Sequence, residues 1–292
     1  MSHGDVCSCS LLAAVGNNLT LRRGIVKMKN DEKERTVTME EQKVNVIAEE
    51  KKRALGSLRN SEMIYMLVSA CTKMPFVLCD PETYDDEIFL FDDLEEAKKC
   101  AEKCREEKQP VNVGRVANKQ LLPFYSSLYT MGVNCLVFQA KGGKKAVIQL
   151  EELVKRGDTS KLPDGKVWVE NPSLHLTSLY FMQEMRRQQK PELTEEMKEL
   201  QEEILSNFQK GTYIVAVQAE NKIPLLKLQD GTSFQPVFTD VIEFQKFNKE
   251  KNFKSAVIKA DKLLDILVPE AKGVVINPFG VNLQLPIKRK KP

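Results

Sequence analysis

The order of predicted strands and helices in residues 61–150 is repeated in residues 211–286. Each region contains β-branched and alternating apolar runs typical of strands, and apolar residues at the spacing of a helix face. In both regions the order is three strands, a helix, a strand, a helix and two strands. Landmark residues recur in the same order: Lys73 and Lys222, Asp93 and Asp240, Gly132 and Gly273. This repetition predicts a tandem duplication, with chance agreement between two common strand–helix patterns as the alternative.

The predicted fold class is therefore α/β (α+β), with tandem copies of a mixed-sheet unit (βββαβαββ) joined by a helical connector. The predicted segments are a disordered or partly helical leader (1–60), a first, divergent copy (61–150), the connector (151–210), a second copy (211–286) and a basic tail (287–292). The leader contains Arg22-Arg23-Gly24, which a purine-rich ribosome-binding site would encode. We therefore expect translation to start at Met28 or nearby.

Composition restricts the class of protein. The 292 residues are 42% hydrophobic and 29% charged, a mixture typical of globular proteins. The net charge of +3 is too small to indicate nucleic-acid binding. No apolar run approaches the roughly 18 residues of a membrane span, and the apolar patch 11–15 is too short for a signal peptide. We expect a cytoplasmic protein that does not span a membrane.

The seven cysteines are odd in number and irregularly spaced, which does not favour a disulfide framework. Cys100 and Cys104 are four residues apart on a predicted helix, where two thiolates could bind a metal ion or undergo redox chemistry. They also belong to an apolar stripe with Leu94, Ala97 and Ala101, which favours simple packing. A zinc cluster of the Cys/His type lacks partners, because His3 and His175 are the only histidines.

Common catalytic patterns are missing from the sequence. It contains no nucleophile elbow, no dinucleotide-binding fingerprint and no phosphate-binding loop. His175 lies in an alternating segment that favours a structural role. Asp93 and Asp240 each follow a strand and precede a helix, which favours helix capping over acid chemistry. We therefore predict no catalytic residue, no cofactor-binding site, no cofactor and no metal site.

One turn is a candidate binding edge. Asn277-Pro278-Phe279-Gly280 has the residue types of a tight turn between two strands, and turn chemistry alone explains each of them. If the chain has a binding edge, we expect it at Asn277, Pro278, Phe279 and Gly280 with the neighbouring Thr239 and Asp240.

The connector contains a second candidate surface. An amphipathic helix carries an apolar stripe of Leu193, Met197, Leu200, Ile204, Leu205 and Phe208. The stripe predicts that the helix packs on the adjacent domains. Self-association or binding of a partner through this helix is the alternative.

Two stretches of the second copy, "LLKLQDGTSFQPVFTDVIEFQKF" and "GVVINPFGVNLQL", resemble the SseB family, the enhanced-serine-sensitivity proteins of bacteria. The resemblance is best over residues 211–286. The connector stretch "ENPSLHLTSLYFMQEMRRQ" is similar to the two-copy members from Gram-positive bacteria. The first copy departs from the pattern, because "FLFDD" replaces "PVFTD" and "KGGK" replaces "NPFG". The resemblance implies a cytoplasmic α/β domain with no established biochemical role and no known cofactor or catalytic residues.

Three classes of function remain open. The first, which we favour, is a non-catalytic protein-binding or regulatory module with an unknown protein partner. The second is an enzyme or small-molecule sensor, which would need Asp240, Asn277 and a connector residue to meet in a site between the copies. The third is nucleic-acid binding through Lys144, Lys145 and the tail, which the low net charge does not favour.

Overall fold

The computed structural model describes residues 46–142, 145–157, 162, 167–188 and 193–287. The chain divides into two units, Met1–Ala48 and Glu49–Pro292, and the second contains both sheets. Most of the leader, including the expected start at Met28, lies outside the described residues. Gly143, Lys144 and the tail from residue 288 onward lie outside them as well.

The first copy follows a helix, α1, that spans residues 46–60. Its strands are β1 (Met63–Ser69), β2 (Val77–Cys79), β3 (Asp86–Phe91), β4 (Val111–Ala117), β5 (Cys135–Gln139) and β6 (Lys145–Gln149). Its helices are α2 (Leu94–Glu106), α3 (Asn118–Met131) and the single turn α4 (Leu150–Leu153).

The connector and second copy continue this order. The connector helices are α5 (Pro172–Arg187) and α6 (Glu195–Lys210). The strands that follow are β7 (Thr212–Val217), β8 (Leu226–Lys227), β9 (Ser233–Phe238), β10 (Lys254–Lys259), β11 (Ala271–Ile276) and β12 (Leu283–Pro286). The helices of this copy are α7 (Val241–Phe247) and α8 (Ala260–Leu263). His175 lies inside α5, so the alternating pattern around it does not mark an extended segment.

The two six-stranded sheets have the same topology. The first has the order β4-β1-β3-β5-β6 with β2 beside β3, and the second has β10-β7-β9-β11-β12 with β8 beside β9. In each sheet one neighbouring pair is parallel, β3 with β5 and β9 with β11. The other pairs are antiparallel. The predicted α+β fold with two mixed sheets is confirmed, and the matching topology is consistent with tandem copies.

The connector helices join the copies through a shared apolar core. Helix α5 packs against α3 and α6, and α6 packs against α8. One buried cluster includes Ile64 of β1, Leu179 of α5, Ile204 of α6 and Val274 of β11. The predicted packing of the α6 stripe on neighbouring elements is confirmed, since Met197, Ile204 and Phe208 are buried. Leu193 and Leu205 of that stripe are exposed.

Smaller clusters cover the other faces of the sheets. Helix α2 encloses one cluster with Leu67, Phe91 and Val111 of the first sheet. Helix α7 encloses a second cluster with Ile214 and Phe238 of the second sheet. Both helices begin at the predicted aspartates, because Asp93 and Asp240 each accept hydrogen bonds from two backbone amides of the first turn.

Polar side chains of α5 also hold the two copies together. The Gln183 amide donates to the carbonyl of Val77 at 3.1 Å and accepts from its N–H at 3.4 Å, so it pairs with the short strand β2. The Arg186 guanidinium donates to the carbonyl of Cys71 in the first copy. It also donates to the carbonyls of Val281 and Asn282 in the second copy.

Candidate functional site

The predicted site residues Thr239, Asp240 and Asn277 meet at the carboxyl ends of the parallel strands β9 and β11. In open α/β sheets this edge is a common location of binding sites. The backbone N–H of Thr239 donates to the Asn277 side-chain oxygen at 3.0 Å, and the Asn277 amide donates to Thr239 Oγ1 at 2.8 Å. All three residues have no exposed surface. They form the interior of the edge and cannot touch a ligand directly in this conformation.

Asp240 is fully committed to neighbouring groups. Its Oδ1 accepts from the amides of Ile242 and Glu243 at 2.9 and 3.0 Å, and its Oδ2 accepts from Thr239 Oγ1 at 2.7 Å. Burial opposes ionisation of this carboxyl group, but the nearby imidazole of His175, together with the amide and hydroxyl donors, outweighs that effect. The pKa of Asp240 therefore lies below its ordinary value.

The connector contributes two further residues to this cluster. The Asn171 amide donates to the carbonyls of Thr212 and Thr239 at 2.7 and 2.8 Å. His175 is completely buried, with Nδ1 3.7 Å from Asp240 Oδ2 and Nε2 4.0 Å from Glu243 Oε1. Asp240, Asn277 and a connector residue thus do meet, as the enzyme hypothesis requires. They meet in the interior of the protein, where their side chains are not exposed to solvent.

Glu243 fixes the other side of the turn. Its Oε1 pairs with Lys246, and its carboxylate lies against Gly280 so closely that a Cβ there would be 2.4 Å from Oε2. The amides of Gly280 and Asn282 donate to the Asn277 carbonyl at 2.8 and 2.9 Å. Asn277 adopts a left-handed φ of 49°, which asparagine tolerates better than most residues. The turn is therefore held by its own hydrogen bonds and by the buried cluster beneath it.

Phe279, at the tip of this turn, is 63% exposed. Its ring centroid lies 5.8 Å from that of Phe247, which in turn contacts Phe253 at 5.1 Å. A groove of about 460 Å³ is lined by the three rings together with Lys246, Asn248, Lys249, Glu250 and Asn252. We call this the Phe279 surface. Of the six predicted binding-edge residues, Phe279 is exposed, Pro278 and Gly280 are half-buried, and the other three are buried.

The first copy repeats the frame of this site without its aromatic surface. Asp93 caps α2, as Asp240 caps α7. Glu96 pairs with Lys99 at 3.0 Å, and Glu243 pairs with Lys246 in the same way. The Glu96 carboxylate also accepts from the Gln139 amide at 3.0 Å. Counted from the capping aspartate, Cys100 occupies the position of Phe247. The Phe279 surface is therefore a property of the second copy.

Glu243 was not identified from the sequence, and His175 was assigned only a structural role without a place in this cluster. A glutamate three residues after a capping aspartate was visible in both copies, and the recurrence of Glu96 and Glu243 could have marked the position. His175 gave no such signal, because it lies far from Asp240 in the chain and only the packing of α5 brings them together.

The described residues show neither a metal-binding cluster nor a membrane-spanning helix. Those residues contain no group of three or more His, Cys, Asp or Glu side chains that could hold a metal ion. Among the helices described, none is long and apolar enough to cross a bilayer.

Comparison with known proteins identifies the class of this domain. Residues 192–288 match the family model described as the SseB protein N-terminal domain, so the resemblance to the SseB family is confirmed over this region. The matched range includes α6 as well as the second copy. Membership of the two-copy type stays a prediction. The comparison with curated proteins finds no significant match.

Two solved structures show a weak likeness. Tic22 from Plasmodium falciparum is 11% identical, with 75% of this chain and 88% of that chain covered and a TM-score of 0.20. Anabaena Tic22 (protein transport) is also 11% identical, with 76% and 91% covered and a TM-score of 0.20. At this TM-score the likeness carries no argument about fold or function.

Proposed function

We propose that this protein is a non-catalytic protein-binding module and that its second copy binds a segment of a partner protein at the Phe279 surface. The observation that carries the proposal is the exposure of Phe279 on a turn that the buried cluster holds in place. Aromatic side chains in interface pockets often supply a large share of binding free energy. A turn that is already ordered loses little conformational entropy on binding.

The lining of the groove suggests the chemistry of the partner. Phe247, Phe253 and Phe279 present apolar ring surface that suits a large aliphatic or aromatic side chain. Residues 245–254 contain four lysines and one glutamate, and Lys246 is the lysine that pairs with Glu243. The remaining positive charge favours an acidic segment around the apolar anchor, and it would act mainly on the association rate.

The alternatives make different demands. An enzyme or small-molecule sensor would use the cluster of His175, Asp240 and Glu243, and all three of these residues are buried. Nucleic-acid binding would follow the lysines and would not depend on an aromatic ring. Self-association through α6 would use Leu193 and Leu205, both exposed. A cytoplasmic location remains part of the proposal.

Site-specific photo-crosslinking tests the proposal. A benzoylphenylalanine at position 279 is compared with the same residue at position 84, because Tyr84 is an exposed aromatic residue in a loop of the first copy. We expect a discrete protein adduct from position 279 and none from position 84, with an acidic partner segment at the crosslink. Equal adducts from both positions, or none from position 279 in the cells of origin, would contradict the proposal.

A further inference from the structure

Cys100 and Cys104 lie on one face of α2, one helical turn apart. Residues four apart on a helix are neighbours on its surface. Both side chains are half-buried at the edge of the cluster that contains Phe91, Ala97 and Ala101. Both residues therefore pack against the cluster as predicted, and both remain partly exposed. Neither cysteine is in a disulfide.

The two thiols are also in contact with each other. A hydrogen bond from Cys104 lowers the pKa of the Cys100 thiol to about 7, against the opposing effect of burial. The positive charges of Lys145 and Lys103 act in the same direction as the hydrogen bond, and Glu107 acts against it. The pair therefore presents one readily ionised sulfur beside a second sulfur, in a partly positive environment.

Helix geometry disfavours a direct disulfide between these residues. Cβ atoms four residues apart on a helix are about 5–6 Å apart. A disulfide needs about 3.5–4.5 Å between Cβ atoms, with an S–S bond near 2.05 Å. A metal–sulfur bond is about 2.3 Å long. Two sulfur atoms that bind one ion can therefore lie roughly twice as far apart as the two sulfur atoms of a disulfide. The unbent helix thus suits a bridging atom better than a direct bond.

We propose that Cys100 and Cys104 form a two-thiolate binding site for a soft, two-coordinate metal ion of the Cu(I) class. Thiolates select soft ions such as Cu(I). Zn²⁺ almost always takes four ligands in structural sites, and the described residues offer no set of three. On binding, both thiols lose their protons, two sulfur–metal bonds form, and the bis-thiolate complex carries one negative charge. Lys103 and Lys145 offset that charge, and no electron is transferred.

The test is an anaerobic titration with Cu(I), with bathocuproine disulfonate as competitor. The protein carries Cys7→Ser and Cys9→Ser, because that closely spaced pair could also bind the ion. We expect one ion per chain. Cys100→Ser and Cys104→Ser should each weaken Cu(I) binding by more than about 100-fold. Loss of a residue that only orients a metal ligand typically costs roughly 10- to 100-fold in affinity. Cys79→Ser, at an exposed thiol in β2, should leave the affinity unchanged.

Proton release gives an independent readout. Because both thiols must be deprotonated to bind the ion, binding should release protons, and the number released per ion should fall as the pH is raised from 6 to 8. Unchanged circular dichroism melts show that the serine variants fold. If the Cys100→Ser/Cys104→Ser double variant bound Cu(I) with unchanged affinity, the proposal would be overturned. Formation of a Cys100–Cys104 disulfide in place of the metal complex would overturn it as well.

Discussion

At the scale of single residues, the turn under Phe279 depends on Gly280 having no side chain. A Cβ at this position would be 2.4 Å from the Glu243 carboxylate, which the pairing with Lys246 holds in place. We predict that Gly280→Ala lowers the free energy of unfolding by about 1–3 kcal/mol, as expected for overpacking.

The matched control is Gly56→Ala in α1, where an added Cβ meets nothing within 4 Å. Because alanine is the better helix former, this variant should gain about 0.5–1 kcal/mol. Urea unfolding measures both changes. Equal stability of Gly280→Ala and the wild type would show that the turn is not held against Glu243.

A second residue, Asp240, makes the free energy of unfolding depend on pH. Its pKa is lower in the folded protein than in the unfolded chain, so its contribution is fully present above the unfolded value of about 3.9. The contribution is lost as the pH falls through the folded-state pKa. We predict that Asp240→Asn is less stable than the wild type at pH 7, and that the difference narrows below about pH 4. A difference that stays constant from pH 7 to pH 2.5 in urea unfolding would contradict this role.

Several residues of the cluster could be predicted from the sequence, but their burial could not. Thr239, Asp240 and Asn277 follow strand ends, so their grouping could be inferred from the strand order. Their burial depends on α5, which places Asn171 and His175 over them. No local pattern in the sequence predicts that contact.

At the scale of elements, α5 acts as a tie between the copies. Arg186 reaches carbonyls in the β1–β2 loop and in the closing turn of the second copy. We predict that Arg186→Met, which keeps most of the aliphatic stem, lowers the free energy of unfolding by about 1–2 kcal/mol. Lys198→Met, at a lysine that pairs with the exposed Glu195 of its own helix, should change it by less than about 0.5 kcal/mol. Equal effects of the two substitutions in urea unfolding would argue against the tie.

The element order was well predicted, and the relation between elements was not. Strand alternation, turn residues and the capping aspartates are local signals, and the repeated order indicated that the two regions share a fold. The packing of α5 against α3 and α6 involves residues far apart in the chain. The apolar stripe of α6 indicated packing on the adjacent domains, and it could not indicate which helices would cover it.

At the scale of the whole molecule, one core cluster runs from the first sheet through α5 and α6 to the second sheet. We predict that the unit Glu49–Pro292 unfolds in a single cooperative transition, with equal calorimetric and van't Hoff enthalpies. Leu179→Ala, in the centre of this cluster, should lower the stability of both copies together by about 2–5 kcal/mol. Leu122→Ala, at an exposed leucine of α3, should have little effect. Two separate calorimetric transitions would contradict a shared core.

The central claim is that the Phe279 surface binds a partner, and the most direct measurement is an equilibrium affinity. The partner captured from position 279 is titrated by calorimetry against the wild type, Phe279→Ala and Tyr84→Ala. Removal of an aromatic anchor should weaken binding at least ~10-fold, and loss of the exposed Tyr84 ring in the first copy should change it less than about 2-fold. An affinity of Phe279→Ala equal to that of the wild type would contradict the claim.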